Sequence, residues 1–337
     1  MKRILMRRSA LIGLASFFLA VSATYAGVAS AATPPAASSK SNNSPNAIKL
    51  APLRQSLTVE RGKTSTVNVT ITNVNPTPVS MKVVLNDFVA GDEKGNPAIL
   101  LDENSYAPTH SLKRFMKPVP NVTIAAGATQ DVPITIAVPA DAQAGGYYGA
   151  ARLTPVAVGA SGNLNLGASA SSLILLTVPG DLVERLNITN FEIQQQGSSA
   201  SNFRTPDNLE LFVRFQNLGN VQVAPFGQIN VTKGNKVVYK HDFNGNPDQR
   251  DQVLPDSARK WNIPLKNISK FGKYKVTANF TYGTKSEALQ IEKTFWVIPT
   301  MYLIFGGIGL LVLLFIVWLV VALIRAKRSN RSSSRRF

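Results

Sequence analysis

Over most of this chain apolar residues recur at every second position in short runs. Val67, Val69 and Ile71 interleave with Asn68, Thr70 and Thr72, and Leu209, Leu211, Val213 and Phe215 follow the same beat. Successive side chains of a strand point to opposite faces, so a period of two predicts strands with one buried face. Further strands are predicted at 48–53, 81–85, 132–138, 147–156 and 173–178, with another opening near Glu184; no helical stripe of useful length appears among them. The rhythm stops at Met301. From there to Ile324 run 24 residues without a charge, mostly Leu, Ile, Val and Phe. At about 1.5 Å per residue they reach roughly 36 Å, enough to cross a hydrocarbon core of about 30 Å with some tilt.

The strand pattern also repeats. Asn73-Val74-Asn75 closes one alternating run and Asn217-Leu218-Gly219-Asn220 another; Val138-Pro139 precedes Gly145 and Tyr147 as Ile263-Pro264 precedes Gly272 and Tyr274. The chain has no cysteine, so no disulfide framework supports it and each domain must stand on its own core. The expected fold is all-β: two tandem immunoglobulin-like β-sandwiches at 46–181 and 182–297, joined near Pro179-Gly180-Asp181. A transmembrane helix at 298–324 and a basic tail at 325–337 follow. Ahead of the sandwiches, Lys2, Arg3, Arg7 and Arg8 precede an apolar stretch ending in Ala29-Ser30-Ala31, which predicts a signal peptide over 1–31. Residues 32–45, rich in Pro, Ser, Ala and Asn, read as a flexible linker.

Charge acquires meaning once it is apportioned. The formal net charge is +17, but leader and tail together hold ten basic residues and no acidic one. The tail places Arg325, Lys327, Arg328, Arg331, Arg335 and Arg336 directly after the apolar run, so the positive-inside rule puts the tail in the cytoplasm and the sandwiches outside. That predicts a single-pass membrane protein with an extracellular amino terminus. Residues 46–181 hold 10 basic and 9 acidic residues, and 182–297 hold 15 and 10, so only the second half is basic. Nucleic acid is not an expected partner of exported domains.

Catalytic parts are scarce. There are two histidines, His110 and His241, and no G-x-S-x-G, H-E-x-x-H or Walker-type loop, so the chain reads as a non-enzyme without cofactor. Asp87, Asp92, Glu93, Asp102 and Glu103 flank a Gly95-Asn96 turn without calcium-loop spacing and are read as solvated hairpin acids. The leading binding candidate is the segment with Arg259, Lys260, Lys266, Lys270, Lys273 and Lys275, interleaved with Trp261, Phe271 and Tyr274. It could meet an anionic wall polymer or an acidic protein surface, or simply be an exposed strand face. Tyr147 and Tyr148, as strand neighbours, point to opposite faces, so one ring could be displayed to a ligand while the other is buried, or the outer ring simply covers a sheet edge. Trp296 and Tyr302 read as interfacial anchors at the membrane, with Arg325, Lys327 and Arg328 beyond the span.

A family resemblance rests on the order of these parts. The leader, a first sandwich with "VP" followed by "GGYYGA", a second with Asn217-Leu218-Gly219-Asn220, Val253-Leu254-Pro255-Asp256-Ser257 and Phe271-Gly272-Lys273-Tyr274, then the span and basic tail, resemble the WxL-interacting proteins of Gram-positive bacteria. That resemblance implies peptidoglycan association for the first domain and a partner or host ligand for the second. A lesser likeness is to pilus chaperones, whose strands also read "VTITN" as at 69–73; the basic tail and span depart from that group. The expected function is therefore a membrane-anchored cell-surface scaffold or adhesion protein that contacts peptidoglycan or a surface protein. The alternative is an export-side chaperone or assembly factor that lends a strand edge to another chain.

Overall fold

The computed structural model describes residues 48–156 and 169–333, with side chains through Arg325. The expected signal peptide, the linker, and the side chains of Lys327 and Arg328 lie outside the described residues.

Among the described residues the first sandwich holds nine strands: β1 Ile48–Ala51, β2 Arg54–Thr58, β3 Thr64–Asn73, β4 Val79–Ala90, β5 Pro97–Ile99, β6 Val122–Ile124, β7 Thr129–Ala137, β8 Gly145–Pro155 and β9 Ala170–Val178. One sheet has the order β1-β3-β7. The facing sheet has the order β2-β9-β8-β4-β5, with β6 also pairing β4. Its first strand is thus divided between the sheets: β1 runs antiparallel to β3, and β2 runs parallel to β9. Alternation places Ile71, Met81, Ile124, Ile134, Ile136, Leu153 and Ile174 in an aliphatic core.

The second sandwich is built from β10 Leu186–Gln195, β11 Ser198–Ser199, β12 Asn202–Phe203, β13 Leu209–Asn217, β14 Phe226–Lys233, β15 Lys236–Phe243, β16 Ala258–Pro264, β17 Gly272–Tyr282 and β18 Glu287–Val297. Its sheets have the orders β11-β10-β13-β16 and β12-β18-β17-β14-β15. Strand β13 alternates between buried and half-buried residues along its whole length. Here the core is aromatic: Phe215, Tyr274, Phe280 and Phe295 are fully buried, with Trp261 packed against them.

The repeated Asn turns have one physical cause. Asn73 is fully buried, and its Nδ2 donates to the carbonyls of Thr77 (2.8 Å), Ile124 (3.1 Å) and Ala125 (3.1 Å), while its Oδ1 accepts from Asn75 N at 2.9 Å. Asn217 repeats this: Nδ2 donates to Val221 O at 2.8 Å and Val253 O at 2.9 Å, and Oδ1 accepts from Gly219 N at 2.8 Å. A carboxamide can donate and accept at once, so it satisfies loop groups on both sides of the bend. After β18 the chain enters α1, Thr300–Ser333. Its stretch Thr300–Arg325 is long and apolar enough to cross a membrane, and the side chains of 301–324 are exposed.

Candidate functional site

The acidic hairpin is not what its composition suggests. Asp87 on β4 is fully buried and accepts from Ser111 Oγ at 2.6 Å, Lys113 N at 2.8 Å and Ala107 N at 2.9 Å, so it ties down the β5–β6 loop rather than standing in solvent. Asp92 closes the 92–96 turn through Asn96 and Lys94. Glu103 pairs with Lys82 at 2.8 Å. Among the described residues no group of three or more His, Asp or Glu could hold a metal ion.

Glu93 instead joins the two sandwiches. Its Oε1 accepts from Arg214 at 2.7 and 3.1 Å, its Oε2 lies 3.9 Å from Lys260 Nζ, and its main-chain carbonyl accepts from Lys260 N at 2.7 Å. The Arg214 hydrogen bond holds the Glu93 carboxyl below its ordinary value, against the opposing pull of burial. At the other side of the junction, Gly146 N donates to Asn220 O at 2.8 Å and Asn220 Nδ2 to Ala144 O at 3.1 Å. Tyr148, buried and with its phenol pushed well up by desolvation, donates to Gln222 Oε1 at 2.8 Å; Gln222 Nε2 donates to Thr177 at 3.1 Å. A Cβ on Gly146 would fall 2.1 Å from Tyr148 Oη, so this position needs glycine for close approach. The "GGYYGA" segment is therefore junction packing. Tyr147 on the opposite face is half-buried on Phe115, ring centres 4.7 Å apart, and donates to Gln143 O at 2.9 Å.

Between these contacts lies a cleft of about 80 Å³, floored by Phe88, Leu173, Leu175 and Leu254 and rimmed by Arg54 and Arg259. Arg54 donates to Arg250 O at 3.1 Å. Arg259 pairs with Asp251 at 2.8 Å and donates to Gln252 O at 3.1 Å, yet its Nε, the Arg250 Nε and Gln252 Oε1 are buried without a hydrogen-bond partner. Gly95 is moulded to Arg259: a Cβ there would meet its guanidinium carbon at 2.1 Å. Guanidinium groups over an apolar floor favour an anionic group carried on an apolar chain.

Beside the cleft, no described strand pairs the backbone edge of β9 at Ala170–Ser172, where Ser172 Oγ donates to Pro52 O at 2.7 Å. Pairing of β2 with β9 begins at Arg54 opposite Leu173, and Leu173 N donates to Leu53 O at 2.9 Å. Alternate residues of a strand direct their backbone groups to the same side, so the N–H and C=O of Ser171 face that side too. Among the described residues no strand pairs Ala170–Ser172 there; β8 covers only the other side.

The basic segment does not form one patch. Arg259 and Lys260 sit on β16 at the junction. Lys266 and Lys270 lie in the β16–β17 loop, and Lys273 and Lys275 on the outer face of β17, with Lys275 paired to Glu292 at 3.2 Å. Trp261 and Tyr274 point inward. Trp296 is partly exposed beneath Lys273, and Tyr302 meets Phe271 with ring centres 5.1 Å apart. Arg54 and the β9 edge were missed in the sequence because neither the divided first strand nor the parallel pairing leaves a periodic signal.

No family model matches the chain. No curated protein matches it either. Solved structures similar to it include the class 5 fimbriae chaperone CfaA (11% identity; 74% of this chain and 99% of that chain; TM-score 0.38). Others are a chaperone–tip adhesin complex of CFA/I fimbriae biogenesis (12%; 74% and 99%; 0.39) and the CsuC–CsuE chaperone–tip adhesion subunit pre-assembly complex of Acinetobacter baumannii Csu pili (12%; 73% and 98%; 0.36). These findings overturn the resemblance to WxL-interacting proteins, and the cell-wall and adhesion roles that it implied fall with it. The motifs that carried it are turn and junction punctuation, and scores this low say nothing of a partner for this chain.

Proposed function

We propose that this chain is an export-side assembly factor that holds an extended segment of an exported surface protein along this edge of β9, acting by binding and not by catalysis. The edge at Ala170–Ser172, which no strand pairs among the described residues, lies next to Arg54 and the apolar cleft and carries the reading. A client strand added there gains main-chain hydrogen bonds from Ser171, and an anionic group on the client meets guanidinium forks already held in place. The hydrogen bonds and ion pair of the junction around Glu93 and Asn220 keep edge and cleft in register. In this reading α1 tethers the sandwiches to the outer face of the membrane, with the basic residues from Arg325 onward on the cytoplasmic side.

The test is a photo-crosslinking amino acid in place of Ser171, in the full chain in its own cells. One exported protein should be captured, and Arg54→Glu should lower the yield roughly tenfold, since it removes a charge-assisted contact and adds a repulsive one. Capture of no protein, or a yield indifferent to Arg54→Glu, would sink the proposal.

A further inference from the structure

The two ends of the second sandwich carry opposite charge. At the end from which α1 departs, segments 196–208, 233–236 and 264–273 bring together Arg204, Lys233, Lys236, Lys266, Lys270 and Lys273, all exposed, against one acid, Asp207. At the far end the 244–257 loop carries Asp248, Asp251 and Asp256 against Arg250. The basic end is also shaped. Lys233 Nζ donates to Phe271 O at 2.7 Å and to Ser269 Oγ at 3.0 Å, and Ser269 N donates to Tyr274 Oη at 3.0 Å, so the loop before β17 is held with Phe271 turned outward. Phe271 is 48% exposed and Trp296 39%, so two aromatic rings stand outside the closed core at this end.

The position of this end relative to the helix identifies what it faces. Strand β18 ends at Val297, paired with Gly272, and α1 starts at Thr300. The Phe271 ring meets that of Tyr302, in the first turn of α1, with centres 5.1 Å apart. If 301–324 fill the hydrocarbon layer, Tyr302 stands at its outer boundary and the loop ending in Phe271 stands at the level of the headgroups. We propose that this end of the second sandwich is a docking surface for anionic phospholipid headgroups. Lys266, Lys270 and Lys273 contact phosphates, while Phe271 and Trp296 enter the interface. Exposed lysines within a Debye length of an anionic leaflet are attracted without needing a shaped pocket, and aromatic rings favour that boundary. The surface fixes the tilt of the sandwiches over the membrane. The proposal rests on α1 being a span and is independent of the client edge on β9.

The test uses the full chain in nanodiscs of phosphatidylcholine alone or mixed with phosphatidylglycerol, read by amide hydrogen exchange. Exchange of 264–273 should slow by on the order of tenfold in the anionic discs. The difference should vanish in 0.5 M salt, where the Debye length falls to roughly half its physiological value of about 8 Å, and in Lys266→Glu/Lys270→Glu/Lys273→Glu, whose β-strand amides should exchange as in the parent. Equal exchange in the two discs with 301–324 protected would overturn the proposal. So would protection reproduced by inorganic phosphate in the phosphatidylcholine discs, which would make this a phosphate site and not a membrane surface. Rapid exchange of 301–324 in both discs would remove the span and the proposal together, whereas loss of the Ser171 crosslink alone would leave it standing.

Discussion

The two sandwiches share a frame and differ in how they fill it. Each turns after its long third-strand-like run on a buried asparagine, Asn73 in one and Asn217 in the other. The first is packed with branched aliphatic residues. The second packs ring on ring: Phe215 and Phe280 have centres 5.0 Å apart, Phe243 and Phe280 5.1 Å, and Tyr274 and Phe295 5.2 Å. The first divides a strand between its sheets, so that among the described residues β2 pairs β9 only from Leu173 onward, whereas the second keeps its distinguishing chemistry in the loops at its ends. The lesson is that specialisation sits where the repeated frame stops: an edge in one case, a charged end in the other.

Removing the aromatic anchor should have the largest effect. Phe215 touches Phe243, Trp261 and Phe280, so Phe215→Ala should cost about 4 kcal/mol, and Ile71→Ala in the aliphatic core about 3 kcal/mol. Denaturant unfolding followed by tryptophan fluorescence, to which Trp261 contributes from within this core, should report the first change strongly. Equal and small costs would mean that the cores are interchangeable. The asparagine corners come next. Asn73→Ala and Asn217→Ala each strand buried carbonyls and should each cost about 2 kcal/mol; a loss confined to one sandwich would show that only one corner is structural.

Much of the frame was legible from the sequence. The period-two runs around Val69 and Val213 fall on β3 and β13, and the Asn turns mark the ends of those strands. The apolar run at 301–324 is a helix. Less legible was anything that depends on what lies across from a residue. Asp87 resembles a solvated hairpin acid until Ser111 and two backbone amides close over it. Arg259 and Lys260, neighbours in a basic segment, belong to the junction because β16 runs past the Glu93 hairpin. Of the tyrosine pair, strand alternation indicated one inward and one outward ring, but not that the inward one, Tyr148, meets the second sandwich where Gly145 and Gly146 let the Asn220 backbone approach. Alternation specifies faces of strands; it does not specify where the pairing of two strands begins, and that is where Arg54 and Ser171 lie.

The smallest effect should be the most local, at the ion pair that joins the two frames. Glu93 is held below its ordinary value chiefly by the hydrogen bond from Arg214, so its contribution to the junction is fully present above the ordinary glutamate range and is lost as pH falls through the lowered value in the folded state. Its carboxylate and Arg214 are both partly solvated, with side chains 39% and 26% exposed, which limits the pair to about 1 kcal/mol or less. Glu93→Gln should keep both sandwiches folded, because the Lys260 N to Glu93 O hydrogen bond uses the main chain. It should nevertheless lower the protection factor of the Lys260 amide severalfold at neutral pH, and acidification of the parent should bring its protection factor, corrected for the intrinsic rate at each pH, down toward that of the variant. If Glu93→Gln leaves that amide as protected as before, the main-chain contact and the Asn220 side of the junction hold the two sandwiches by themselves, and the comparison between them needs no electrostatic link.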